Sequence, residues 1–258
     1  DQQAESLSEV EGYLSLNGLT SITDAQAESL SKAGYLGLNG LTSITDAQAE
    51  SPARVKGSLE LNGLTSVNDE QAESLSNNQY VQLTGLTSIT DAQAESLSKI
   101  KTPLNGLTSI TDQQAESLGK VEGYLSLKGL TSLTDTQAES LSQCNRLSLK
   151  GLTTITDEQA ESLSKVGSLG LSGLTSITDV QAESLSKVRD ISMQGLTSIT
   201  DEQAEILSGV SDLSLNGLTT ITDEQADNLG KSSRLILRGL TSITDEQAES
   251  LSKVEAYL

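Results

Sequence analysis

Leu14-Ser15-Leu16-Asn17-Gly18-Leu19-Thr20-Ser21-Ile22-Thr23-Asp24-Ala25-Gln26-Ala27-Glu28-Ser29-Leu30-Ser31-Lys32 is the stretch from which the rest of the chain is copied. Its Gly-Leu-Thr triplet returns at Gly18, Gly40, Gly63, Gly85, Gly106, Gly129, Gly151, Gly173, Gly195, Gly217 and Gly239. The spacing is 22 residues at most steps, 23 twice and 21 once. A fixed period of this length, with fixed apolar positions, is the signature of a solenoid whose coils stack only on their neighbours. Eleven coils follow a half coil, Asp1 to Val10, so the 258 residues read as a single elongated domain. The chain stops at Tyr257-Leu258, where another coil would open, and reads as a fragment of a longer protein.

Within one coil, Leu14-x-Leu16 alternates with period two and predicts a short strand with both leucines facing inward. Gly18 marks a bend or a close backbone approach. Leu19 and Ile22 are expected to return to the core. Thr23-Asp24-Ala25-Gln26 fits a capping box, with Asp24 adding negative charge to the first helical turn. A helix is predicted from about Asp24 to Lys32, burying Ala27 and Leu30 and then Ala33, with Lys32 in the last turn. Two coils break the pattern. Pro52 replaces a helix leucine and should shorten that helix; Pro103 stands inside a strand and lacks a ladder donor, which predicts a weak spot.

These features resemble bacterial leucine-rich repeat proteins with near-identical Gly-Leu-Thr-Ser-Ile/Leu-Thr/Ser-Asp coils. The resemblance covers the whole chain and implies an α/β solenoid, a right-handed superhelix with a parallel sheet on its concave face and short helices on its convex face. It also implies a binding role. The chain departs from the usual consensus where an Asn or Cys forms a ladder after the strand: Leu19 stands there.

Composition excludes several functions. The net charge of -20 argues against nucleic acid or an anionic membrane as partner. Much of that acidity lies in two columns of twelve, one opening with Asp1 and Asp24, the other with Glu5 and Glu28. Such columns could coordinate Ca²⁺, but no calcium-loop spacing is present, and helix capping accounts for the Asp column. There is no His and no Gly-rich phosphate loop, and one environment repeated in every coil is a poor place for a unique catalytic pair. No enzyme activity, cofactor or metal is expected. Cys144, the single cysteine, fills a position held in most other coils by Ala, Val or Ile and reads as a small buried hydrophobe. No run is long and apolar enough to insert in a membrane.

Comparing the coils with one another separates constant positions from variable ones. The variable ones cluster on the strand, in three columns that alternation turns outward. The first column runs Tyr13, Tyr35, Ser58, Tyr80, Lys101, Tyr124, Arg146, Ser168, Asp190, Asp212, Arg234, and also takes Tyr257. The second includes Glu60, and the third holds Asn17, Asn39, Asn62, Lys128, Lys150 and Arg238 among others. At about 4.8 Å per strand, the face would be on the order of 50 Å long. It carries six basic residues against three acidic ones, mildly basic on an acidic body. The candidate ligand-binding residues are therefore Tyr13, Tyr35, Tyr80, Tyr124, Lys128, Arg146, Lys150, Arg234 and Arg238: tyrosines to stack on sugars or apolar patches, with Asn, Ser, Lys and Arg to hydrogen bond.

The expected function is non-enzymatic recognition of a protein or glycan by an extracellular or cell-surface module. Two other readings stand beside it: a scaffold or fibre component assembling end to end through uncapped coils, and ice binding through the unbroken Thr column that begins at Thr20.

Overall fold

The computed structural model describes residues 12–254, so the half coil before Gly12 and Tyr257 lie outside the described residues. Contacts divide the chain into two units, residues 1–129 and 130–258. The first contains strands β1 (Tyr13–Ser15), β2 (Tyr35–Gly37), β3 (Leu59–Glu60), β4 (Val81–Gln82) and β5 (Tyr124–Ser126). Its helices are α1 (Asp24–Leu30), α2 (Asp46–Glu50), α3 (Asp69–Leu75), α4 (Asp91–Leu97) and α5 (Asp112–Leu118). The second contains α6 (Asp135–Leu141), α7 (Asp157–Leu163), α8 (Asp179–Leu185), α9 (Asp201–Leu207), α10 (Asp223–Leu229) and α11 (Asp245–Leu251). Between these helices run β6 (Arg146–Ser148), β7 (Ser168–Gly170), β8 (Asp190–Ser192), β9 (Asp212–Ser214) and β10 (Arg234–Ile236). Each unit is a stack of coils in which strand and helix alternate.

Strands β1–β4 of the first unit and β6–β10 of the second pair in parallel with their sequence neighbours, in the register that the repeat dictates: Leu14↔Leu36↔Leu59↔Val81 and Leu147↔Leu169↔Ile191↔Leu213↔Leu235. In the inner coils the leucines on either side of the variable strand residue are sealed inside, as are the Leu after the glycine and the helix Ala and Leu, shown by Leu59, Leu61, Leu64, Ala72 and Leu75. In the first described coil Leu14 and Leu16 are half-buried and Leu19 is exposed, contrary to expectation, and in the last Ala248 is exposed. After the strand the chain reverses in a tight turn, with Leu41 N–H donating to the Leu38 carbonyl at 3.1 Å. The glycine in that turn is there for proximity: a Cβ on Gly85 would collide with the carbonyl oxygens of Asn62 and Leu64, one coil back.

The Ile22 column differs from expectation. Ile22, Ile44, Val67 and Ile89 are half-buried, Ile199 alone in the column is buried, and Ile243 is exposed. The residue sits at the corner immediately before the helix cap, where the coil's own core covers one side of it and solvent the other. The helices also end at the leucine, with Ser31 as C-cap of α1, so Lys32 lies beyond the last turn.

Both prolines act as their chemistry requires. The α2 helix stops at Glu50 and the chain continues as a 3-10 turn over Pro52–Arg54. At Pro103 a strand is replaced by one isolated parallel bridge to Ser126, and the first sheet ends at β4. The helix side of the same coil stays tied to its predecessor, because Thr111 Oγ1 donates to Asp91 Oδ1 at 3.1 Å and Gln114 Nε2 to the Ile89 carbonyl at 2.9 Å.

These bonds belong to a ladder that repeats along both units. Each helix has a complete capping box, including α3, where Asn68 replaces Thr. The capping Gln also bridges neighbouring coils. Gln93 Oε1 accepts from Thr90 N–H at 3.0 Å, while its Nε2 donates across to the Val67 carbonyl at 3.0 Å and to Asp69 Oδ1 at 2.8 Å. Gln203 does the same with Thr200, Ile177 and Asp179. A buried amide with both ends satisfied holds one coil to the next.

Candidate binding surface

In the first unit, strand register brings Tyr13 beside Tyr35, and their rings stack with centroids 4.0 Å apart and planes 12° from parallel. Ser58 and Tyr80 occupy the next two places in the column, since Leu36, Leu59 and Val81 are aligned. Tyr13 is 70% exposed and Tyr80 53%, large aromatic surfaces left in water. Tyr35 is half-buried. Burial first, then hydrogen bonds to Glu60 and Tyr13, push its phenol well above the usual tyrosine range. Glu60 also accepts from Asn39 Nδ2 at 2.9 Å. Farther along, Lys101 lays its stem along Gly123, whose φ of +124° is a value that glycine takes without strain. Tyr124 and Lys128 are exposed.

The third column is only partly free for recognition, contrary to expectation. Asn39 N–H donates to Asn17 Oδ1 at 3.0 Å, Asn62 N–H to Asn39 Oδ1 at 2.9 Å, and Thr84 N–H to Asn62 Oδ1 at 3.1 Å. In the second unit Asn216 Oδ1 likewise receives the Arg238 N–H at 3.0 Å. An Asn ladder is thus present, one residue after the second leucine rather than at Leu19, and it satisfies amides that the turn leaves without a strand partner.

The second unit presents Arg146, Lys150, Arg234 and Arg238 to solvent. Its strand register sets Asp190 directly beside Asp212, an arrangement that is unfavourable for like charges. Arginines relieve it: Arg189 Nη2 lies 2.8 Å from Asp190 Oδ2, and Arg234 Nη1 2.7 Å from Asp212 Oδ2. The basic character expected of this face is therefore reduced by pairing within it.

The structure accounts for most other conspicuous columns. Asp carboxylates accept from the Thr hydroxyl and Gln amide of the following coil, as Asp24 does from Thr45 and Gln48 at 2.9 Å each. Among the described residues no group of three or more His, Cys, Asp and Glu is placed to hold a metal. The Thr20 column is exposed, and the hydroxyls of Thr87 and Thr241 reach the carbonyl of the Thr one coil back at 3.3 Å. Cys144 is buried, which pushes its thiol up to about 12. Sequence reasoning passed over Glu60 as a site residue. Its signal was available, because it is the single acid among the three variable columns of the first unit.

No family model matches the chain, and no curated protein does. Solved structures do. An internalin from Listeria monocytogenes superposes with a TM-score of 0.56 at 16% identity, over 97% of this chain and 87% of that one. LegL7, a leucine-rich repeat-containing protein from Legionella pneumophila, gives 0.58 at 16% identity, over 99% and 94%. A chain of the Toll–Spatzle complex of Drosophila gives 0.60 at 12% identity, over 94% of this chain and 38% of that one. The fold is a leucine-rich repeat α/β solenoid of the kind seen in bacterial proteins. Among the described residues no helix is long and apolar enough to cross a membrane.

Proposed function

We propose that this chain is a non-enzymatic recognition module, acting outside the cell or at its surface, that binds a protein or a glycan through the outward side of its sheet. The observation that carries the reading is the tyrosine column of the first unit. Tyr13 and Tyr80 leave large rings in solvent, and Tyr13 stacks on a half-buried Tyr35. Aromatic groups with low side-chain entropy, held on a rigid strand, are the usual anchors of binding surfaces. Tyr124, Lys128, Arg146, Lys150, Arg234 and Arg238 supply further contacts. Structural neighbours support a protein-interaction role in general terms, the Toll–Spatzle complex among them.

Glycan arrays and a panel of surface proteins, screened with the chain and with Tyr13, Tyr35, Tyr80 and Tyr124 all changed to Ser, test the reading. Loss of the captured ligand in the quadruple variant supports it; undiminished binding removes it. A second reading is end-to-end self-association of the solenoid. Light scattering at rising concentration distinguishes it, since a monodisperse monomer contradicts assembly.

A further inference from the structure

The geometry points to a specific ligand chemistry within the surface proposed above, on which this inference rests: a slot between Tyr35 and Tyr80 that receives the guanidinium of an arginine on a basic partner protein. Tyr35 and Tyr80 stand two strands apart with the small Ser58 between them. Their backbones are therefore about 9.6 Å apart, twice the strand spacing. One planar group in contact with a ring on either side needs about 7 Å, so the gap admits a single flat group. Tyr13, on the strand to the other side, stacks on Tyr35. The Gln82 amide lies 3.5 Å from Ser58 Oγ, the small residue between the two tyrosines.

Charge selects what enters. Glu60 lies two residues after Ser58, and Asn39 Nδ2 donates to its carboxylate at 2.9 Å, which holds it in place. A carboxylate has about four acceptor sites, so room remains for a donor from the ligand. Aromatic faces attract cations, and two of them beside a carboxylate favour a flat cation over a neutral ring. Guanidinium is planar and forked, matching both the slot and a carboxylate, whereas ammonium is compact and strongly hydrated. A net charge of -20 draws basic partners toward the molecule as a whole. Lys101, the nearest base in the column, is turned along Gly123.

The test uses the full chain and a peptide of alternating Gly and Arg, with its citrulline counterpart as an uncharged control of the same shape, in calorimetry at physiological salt. The Arg peptide should bind at least about 10-fold more tightly than the citrulline peptide. Glu60→Gln and Tyr80→Ser should each weaken it about 3-fold or more. Glu158→Gln removes the same charge from a helix of the second unit and should have less than about 2-fold effect. Equal losses in Glu60→Gln and Glu158→Gln mean attraction by bulk charge alone and overturn the slot, as does an unchanged affinity in Tyr80→Ser. If Tyr80→Ser abolishes binding of a neutral glycan while the Arg peptide fails to bind, the slot is wrong and the tyrosine surface stands. Circular dichroism on each variant separates loss of binding from loss of fold.

Discussion

The outward faces of the two units are built on one backbone plan and carry opposite chemistry. In the first, ring stacks on ring and a single carboxylate is gathered in by a tyrosine and an asparagine. In the second, two aspartates in register are each answered by an arginine, and the described residues include no tyrosine. The units also differ in regularity: the repeat keeps 22 residues from Gly129 onward, whereas both prolines and every departure from that spacing lie before it. The inward leucine columns and the Gln ladder persist through these differences, although Pro103 interrupts the strands and Pro52 shortens a helix. What a coil shows to solvent is thus decoupled from what holds it to its neighbours, and an array of this kind can change its surface without changing its fold.

That decoupling is tested most severely at the turn glycines, where the two units should behave alike. Gly85→Ala in the first unit and Gly217→Ala in the second each drive a Cβ into two backbone carbonyl oxygens of the preceding coil. Backbone gives way less readily than a side-chain tip, so each substitution should cost about 3 kcal/mol, at the upper end for overpacking. Gly209→Ala is the control, because the nearest atom to its Cβ is the Ile206 carbonyl oxygen at 3.7 Å. Thermal unfolding followed by circular dichroism measures all three. A large loss for Gly85→Ala with none for Gly217→Ala would mean that the regular unit relaxes where the irregular one cannot.

A smaller effect is expected at the capping glutamines. Gln93→Ala and Gln203→Ala remove the same bonds in different units: one to the Thr cap of the same coil, and two across to a carbonyl and an Asp. The vacated carbonyl and Asp lie at the surface edge and recover part of their hydrogen bonding from water. About 2 kcal/mol is therefore expected in each case. Denaturant titration gives the comparison, and Gln→Glu at the same positions adds a check. Glu keeps the acceptor for the Thr amide but sets a second carboxylate against Asp69 or Asp179, so it should fall below Gln in stability at neutral pH and recover toward it in acid.

Much of this architecture was legible in the chain because a repeat supplies its own alignment. Constant Leu-x-Leu, Gly, Ala and Leu columns gave strand, turn and helix, and Thr23 with Gln26 gave the cap. The bonds between coils were not legible. Gln26 already had a local partner in the capping box, and nothing in a single coil shows that the other end of such an amide reaches the coil before it. Asn17 and its copies sat among variable residues and so looked like ligand contacts, while their Oδ1 atoms accept backbone amides. The Ile22 column was placed in the core by hydrophobicity alone, though its corner position leaves it half in water. Of the site residues, exposure followed from alternation, but pairing depends on which side chains register sets side by side, as Arg234 and Asp212 show.

That last pair offers the finest division between the two faces. If the charges of the second unit mainly neutralise one another, then Arg234→Ala should lower stability by no more than about 1 kcal/mol, the ordinary range for an exposed ion pair. Asp212→Asn should be milder still, because it also removes the repulsion between Asp190 and Asp212 that their register imposes. The double variant then tests the coupling: a loss smaller than the sum of the singles means that the arginine contributes through Asp212. Raised salt should shrink the Arg234→Ala effect, since both partners are partly exposed. On the first unit's face Tyr35→Ser should not respond to salt in this way, as it removes buried ring surface rather than charge. A salt-insensitive Arg234→Ala would show instead that the arginine's stem packs against β9 and contributes as an apolar group, which would make the two faces more alike than their side chains imply.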